Sequence, residues 1–145
     1  MSEPAQAPAT TPGAIVGPVA ARAIVAGHGD FAAGLVSAVE QITGRGSLFI
    51  PIAVHGLCTA DIEELLRRRM HEAEVNVLFT DLQAGSCTMA ARRILRGTPG
   101  AVLIAGANLP ILLDFAFADA LPAPEAARHA AERGRAAISV HEAQA

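Results

Sequence analysis

The chain has no lysine, tryptophan or tyrosine, and only two cysteines in 145 residues. All eleven of its basic residues are arginine. A phosphate-cradling P-loop lysine, a Schiff-base lysine and a lysine general base are therefore excluded. Charged residues are scarce, at 17%, and sum to a net −3. With no basic stripe to neutralise phosphates, nucleic acid is not an expected partner. Hydrophobic residues reach 52%, which excludes disorder over most of the length. Cys58 and Cys87 are far apart and lack a C-x-x-C companion, so they read as small buried apolar residues of a reducing compartment. No set of His, Cys and carboxylate residues has metal-ligand spacing, and neither a metal nor a cofactor is expected. The longest apolar stretch, residues 101–117, is interrupted by Gly106, Asn108, Pro110 and Asp114 and cannot cross a bilayer as one helix. No charged segment followed by an apolar one opens the sequence, so no secretory signal is expected and the expected location is cytoplasmic.

What is present reads as one α/β domain. Residues 1–20 are Ala, Pro and Thr without periodicity and are expected to form a flexible tail, with the domain spanning 21–145. Residues 23–26, ended by Gly27, form an apolar run suited to a strand buried on both faces. A helical stripe of Phe31, Leu35, Ala38, Val39 and Ile42 follows, and Gly44 closes it. Residues 48–54 read as a second strand, which Pro51 confines to a sheet edge because proline cannot donate to a ladder. Thr59 is the expected N-cap of a helix over 60–71, with acids in its first turn. Residues 75–80 form a third strand, and Ser86 the expected cap of a helix over 87–96. Residues 101–105 form a fourth strand. Pro110 and Pro124 open two further helices, and residues 136–140 make a short final strand beyond Gly134. Strand and helix alternate four times. The predicted fold is a three-layer α/β architecture, a four-stranded parallel sheet with helices on both faces.

In an open α/β sheet, sites form outside the carboxyl ends of the strands. The polar residues that follow each apolar run are therefore the candidates. The first strand delivers His28 and Asp30, the second His55, the third Asp81 and then Ser86, and the fourth Asn108. His28 stands between Gly27 and Gly29, which leave its imidazole open to a partner. Asp81 has the chemistry to accept the Nδ1 proton and leave Nε2 as nucleophile or base; its plainer reading is an acid that satisfies loop amides. Ser86, at a helix start after Gly85, sits where backbone N–H groups attract anions, and capping alone would equally explain it. The glycines at 27, 29 and 34 lack the dinucleotide-binding spacing. His55 reads as a loop residue, and His71, His129 and His141 as solvent-facing. Arg67, Arg68 and Arg69 balance Glu63, Glu64 and Glu72 on a solvated helix.

Three segments carry a resemblance. Residues 23–35 (AIVAGHGDFAAGL), Thr80-Asp81-Leu82 followed by Gly85-Ser86, and Gly106-x-Asn108-x-Pro110 resemble, in order, three motifs of enzyme IIA domains of the mannose/sorbose family of the bacterial sugar phosphotransferase system. The resemblance covers about 22–140. It implies that His28 accepts a phosphoryl group from the phosphocarrier protein HPr and passes it to a cognate enzyme IIB. Asp81 would orient the ring, and Gly85, Ser86 and Cys87 would bind phosphate oxygens. Gly27, Gly29 and Asn108 would be supporting residues. It also implies a homodimer in which the C-terminal strand lies antiparallel on the partner's sheet, with membrane contact only through the enzyme IIC and IID components. The chain departs from the family's Gly-Gly-Ser/Thr-Pro-x-Asn run, having Ala84-Gly85-Ser86-Cys87-Thr88-Met89. That departure leaves a second expectation beside the first: a regulatory module of the same fold that reports carbon status by phosphorylation or docking.

Overall fold

A computed structural model describes residues 20–145. The expected N-terminal tail, but for Ala20, lies outside these residues. Four strands, β1 (Ala23–His28), β2 (Phe49–Val54), β3 (Val77–Thr80) and β4 (Val102–Ala105), form one sheet in the order β2-β1-β3-β4. Every pairing is parallel. Five α-helices connect and follow them: α1 (Phe31–Thr43), α2 (Thr59–Ala73), α3 (Ser86–Arg96), α4 (Leu109–Phe117) and α5 (Ala123–Ala136).

The period-two alternation of the strands sorts side chains into two cores. Ala23, Val25, Val77 and Phe79 face α1, α4 and α5. Ile24, Ala26 and Leu78 face α2 and α3, where Ile62, Leu66, Ala90, Ala91 and Ile94 meet them. The three-layer expectation holds. Phe49, Phe79 and Phe115 anchor the first core, their ring centroids 5.2–6.2 Å apart at tilted or edge-on angles. The Arg22 guanidinium covers Phe115 at 5.3 Å and donates to the Ala118 and Leu121 carbonyls just after α4. β2 is an edge strand with Pro51 paired in register with Val25, as proline chemistry requires.

Several local expectations give way to tertiary geometry. Cys58, not Thr59, is the N-cap of α2, and it is exposed rather than buried. Gly85 takes the extended N-cap position of α3, so Ser86 is the first helical residue and caps nothing with its side chain. Ile42 is 60% exposed because it flanks a stripe centred on Ala32 and Val39. The C-terminal segment forms no strand in the single chain. α5 continues to Ala136, and beyond it Ile138 and Val140 are exposed. Gly134, after which the final strand is expected, lies buried within α5. A Cβ there would stand 2.0 Å from Ile111 Cγ1, so its role is to let α4 and α5 approach closely.

Gly134→Ala is therefore expected to destabilise the protein by about 1–3 kcal/mol through overpacking. The measurement is a urea midpoint by far-UV circular dichroism. Combined with Ile111→Ala, the loss should be smaller than the sum of the two single losses. An unchanged midpoint in the single variant would refute the close packing.

Candidate functional site

The chain order of the strands fixes where a site can form. β1 connects to β2 on one side, and the connection to β3 then crosses to the other. The carboxyl ends of β1 and β3 thus flank the point where the winding reverses, the crevice in which such sheets bind ligands. His28 ends β1, and Asp81 is the first residue after β3. Ala26 is in register with Thr80, which sets Gly27 beside Asp81. A Cβ at position 27 would lie 3.0 Å from Asp81 Oδ2 and 2.7 Å from the Phe31 ring. Glycine at 27 is what allows the carboxylate to reach His28.

One carboxylate oxygen receives both donors of His28. The backbone N–H donates to Asp81 Oδ2 at 2.9 Å, and ring Nδ1 lies 2.7 Å from the same atom. The Asp81 side chain is 9% exposed, whereas that of His28 is 55% exposed. Burial pushes the Asp81 carboxyl pKa upward, but the His28 backbone bond, ring bond and charge outweigh it and hold the pKa below its ordinary value. An ionised carboxylate only accepts, so the proton on this bond resides on Nδ1. Nε2 makes no hydrogen bond to any described residue. The result is a nucleophilic nitrogen presented outward from an oriented ring.

The start of α3 closes on the same ring. The Cβ position of Gly85 is 3.6 Å from His28 Cε1. The N–H groups of Ser86, Cys87 and Thr88 begin the helix and have no partner within it, while that of Met89 already bonds the Gly85 carbonyl. These amides follow directly on Gly85, whose Cβ position borders the imidazole. The Cys87 side chain does not join them: it is fully buried in the α2–α3 core. Burial, and then the Asp81 charge, push its thiol up to about 11, so it is neither thiolate nor nucleophile.

Two threonines that sequence reasoning did not single out hold this loop. The buried Thr80 and Thr88 hydroxyls are 2.6 Å apart, and Thr88 donates to the Leu82 carbonyl at 2.5 Å. The Thr80 hydroxyl then donates to Thr88. The Thr80 carbonyl accepts the N–H groups of Gly106 and Ala107, tying the exit of β4 to the same point. The available signal was a pair of threonines, one ending an apolar strand and one amid the buried face of the next helix. Gly29 has a φ of +54° and open space around its Cβ position. Asn108 does not reach the ring with its functional group. Its Oδ1 caps α4 at the Ile111 N–H, 3.0 Å away, and its amide reaches the Gly134 carbonyl at 3.4 Å. His55 is exposed in the loop after β2. His129 is exposed and pairs with Asp114 at 2.9 Å, far along the chain in α5 and α4. No described helix is long and apolar enough to cross a membrane.

Residues 22–132 match the family model described as the phosphotransferase-system fructose IIA component. No curated protein matches the chain. Among solved structures, a putative phosphoenolpyruvate-dependent sugar phosphotransferase system permease from Klebsiella pneumoniae subsp. pneumoniae MGH 78578 is similar at 27% identity. Its TM-score is 0.71, over 87% of this chain and 94% of that one. The mannose/sorbose-specific IIA subunit from Enterococcus faecalis shares the fold at 19% identity and TM-score 0.71, covering 88% and 98% of the two chains. A phosphotransferase system component EIIA from Streptococcus agalactiae does so at 19% and 0.72, covering 82% and 95%.

The depressed Asp81 pKa has a testable sign. The ionised form is favoured in the folded state, so its stabilisation is complete above the ordinary value of 3.8 and is lost as pH falls through the lower folded value. Asp81→Asn should keep the fold at neutral pH and lose less stability than the wild type across that acid window. Far-UV circular dichroism during acid titration measures it; parallel acid unfolding of the two proteins would show that the carboxylate is not held by His28.

Proposed function

The chain belongs to the phosphotransferase-system fructose IIA family and is a component of that type of system, and from this we propose that it is a phosphocarrier acting through His28. It accepts a phosphoryl group from phospho-HPr and passes it to a cognate enzyme IIB. The observation that carries this reading is the bond from His28 Nδ1 to the buried Asp81, 2.7 Å long, on a ring whose Nε2 is free and outward.

Transfer follows from that geometry. The Nε2 lone pair attacks the phosphorus of the donor's phosphohistidine as the donor N–P bond breaks. The donor imidazole departs with the bonding pair, and no further reactant is needed. Little covalent assistance is required, because the work is positioning and neutralisation of charge on the equatorial oxygens. Gly85, the Ser86 hydroxyl and the Cys87 N–H, at the positive end of α3, would meet those oxygens. A phosphorylated ring retains its Nδ1–H, and the positive charge shared around the imidazole is met by Asp81. Onward transfer is the same step reversed, with the enzyme IIB nucleophile displacing Nε2. Gly27 and Gly29 support the site by admitting the carboxylate and leaving the ring open. Asn108 supports it more remotely, by fixing the start of α4. In this reading residues 21–145 are the IIA domain, it works in the cytoplasm, and the membrane components IIC and IID are met only indirectly.

The homodimer is part of the same proposal. Among the described residues β4 pairs only with β3, and all four of its residues are partly exposed. An edge strand of this kind invites pairing. Ile138 and Val140 follow α5 at 73% and 79% exposed, and Ile138 borders a shallow cavity beside Ile104 and Ala105 of β4. Laid antiparallel on a partner's β4, the segment would bury both side chains, and reciprocal exchange closes the assembly at two chains.

Incubation with phosphoenolpyruvate, enzyme I and HPr should add about 80 Da, one PO₃H unit, in an acid-labile linkage. His28→Ala should abolish it, and persistence in that variant would refute the assignment. Asp81→Asn should slow the transfer with the fold intact. Phosphorylation without onward transfer to any enzyme IIB would favour the regulatory module instead.

Removal of residues 138–145 leaves α5 and Gly134 in place. Light scattering should then report a monomer, against a dimer for the full chain; a truncated dimer would refute strand exchange.

A further inference from the structure

We propose that the exposed face of α3, from the His28 site through Met89 to Arg92 and Arg96, docks an acidic protein surface with an apolar centre; this rests on the phosphocarrier reading and specifies the chemistry of a partner. Positions 89, 92, 93 and 96 fall at i, i+3, i+4 and i+7, so they form one stripe opposite the buried face of Cys87, Ala90, Ala91 and Ile94. The stripe begins at the site. Ser86 stands one turn before Met89, and a Cβ at Gly85 would lie 3.4 Å from the Leu82 side chain and 3.6 Å from the His28 ring.

Two large apolar side chains are left in solvent there. Leu82 is 52% exposed and Met89 48%. Nothing in the fold uses either surface, and adaptable Met together with Arg is enriched where proteins meet. The charges beside them have one sign. α3 contains no acidic residue. Arg93 reaches Glu63 of α2 at 3.7 Å, but Glu63 already accepts two bonds from Arg67. Among the described residues no carboxylate lies within ion-pair distance of Arg92 or Arg96. The helix dipole accounts for Arg93 and Arg96 in the last turn, but not for Arg92 or the bare Met89. Asp81 is buried against His28, which leaves Asp30, in the β1–α1 turn, as the exposed acid at the ring's own loop. The complement of this face is an apolar contact flanked by carboxylates.

The test separates docking from chemistry. Phosphoramidate, a small donor, needs no docking surface. Nε2 attacks its phosphorus, the P–N bond breaks, and ammonia leaves with the electron pair. Wild type and the Arg92→Glu, Arg96→Glu double variant should be labelled on His28 at equal rates. Second-order rate constants are then measured for transfer from phospho-HPr and to enzyme IIB at low and physiological salt. At least one step should slow about 10-fold in the double variant at low salt, with the deficit shrinking as salt rises. Arg92→Gln with Arg96→Gln should give a smaller loss in the same direction, and Met89→Ser a loss independent of salt. Unchanged rates in both steps, or faster transfer on charge reversal, would overturn the proposal. Absence of labelling by phosphoramidate would instead overturn the carrier reading, and the docking proposal would fall with it.

Discussion

The bond between Asp81 and His28 is the constraint around which the rest of the site is arranged. A carboxylate 9% exposed is costly unless donors replace its water. Here one oxygen takes two donors from a single residue, while Oδ1 is buried with no hydrogen-bond partner among the described residues. That economy demands close approach of β1 and the residue after β3, and hence a glycine at 27. It also demands that the loop after Asp81 stay put. The chain from the Thr80 hydroxyl through Thr88 to the Leu82 carbonyl supplies this from beneath. The ring orientation is therefore inherited from buried hydrogen bonds, not from its own exposed surroundings.

The scaffold serves the same end through small side chains. The interface of α4 and α5 is lined by Ala116, Ala126, Ala127 and Ala130 and closed by Gly134. Close helix packing lets a chain poor in aromatic residues fill two cores, with three phenylalanines concentrated under α4. Asn108 links this layer to the strand ends, since it caps α4 and reaches α5 at once. A polar residue at a strand end can thus be conscripted by the frame. Its position in the sequence pattern alone does not reveal which.

Much of the fold was legible in the sequence because strands buried on both faces are uninterrupted apolar runs and their helices alternate with them. Pro51 correctly marked an edge, since its missing N–H leaves few other places in a sheet. His28 and Asp81 were legible as strand-end polar residues, and the structure brings them together at the winding reversal. The caps were not. Whether Cys58 or Thr59, Gly85 or Ser86, holds the first extended position depends on where the preceding loop delivers the chain. Composition says nothing of that. Cys58 was read as buried because small apolar residues usually are, but an N-cap at a loop end faces solvent. Thr88 was hidden because a threonine inside a helix ordinarily signals nothing, and its meaning lies in a partner eight residues back. Residues 136–140 have the composition of a strand, yet in one chain α5 runs on to Ala136 and the remainder does not pair with the edge of β4.

In the proposed carrier role, the exposure of His28 is a physical requirement and not an incomplete pocket. A ring that faced two successive protein partners, as that role requires, could not be roofed by its own chain. The water exclusion that strengthens electrostatic stabilisation has to come from the partner surface. The protein's contribution before docking is consequently limited to what survives in water: a tautomer fixed by a buried carboxylate and unpaired amides at a rigid helix start. An uncovered apolar contact then remains for the partner to complete. Leu82 and Met89 are costly to leave exposed in an isolated chain, and Arg92 is unexplained by the helix it sits on. All three belong to the face that the docking proposal assigns to the partner.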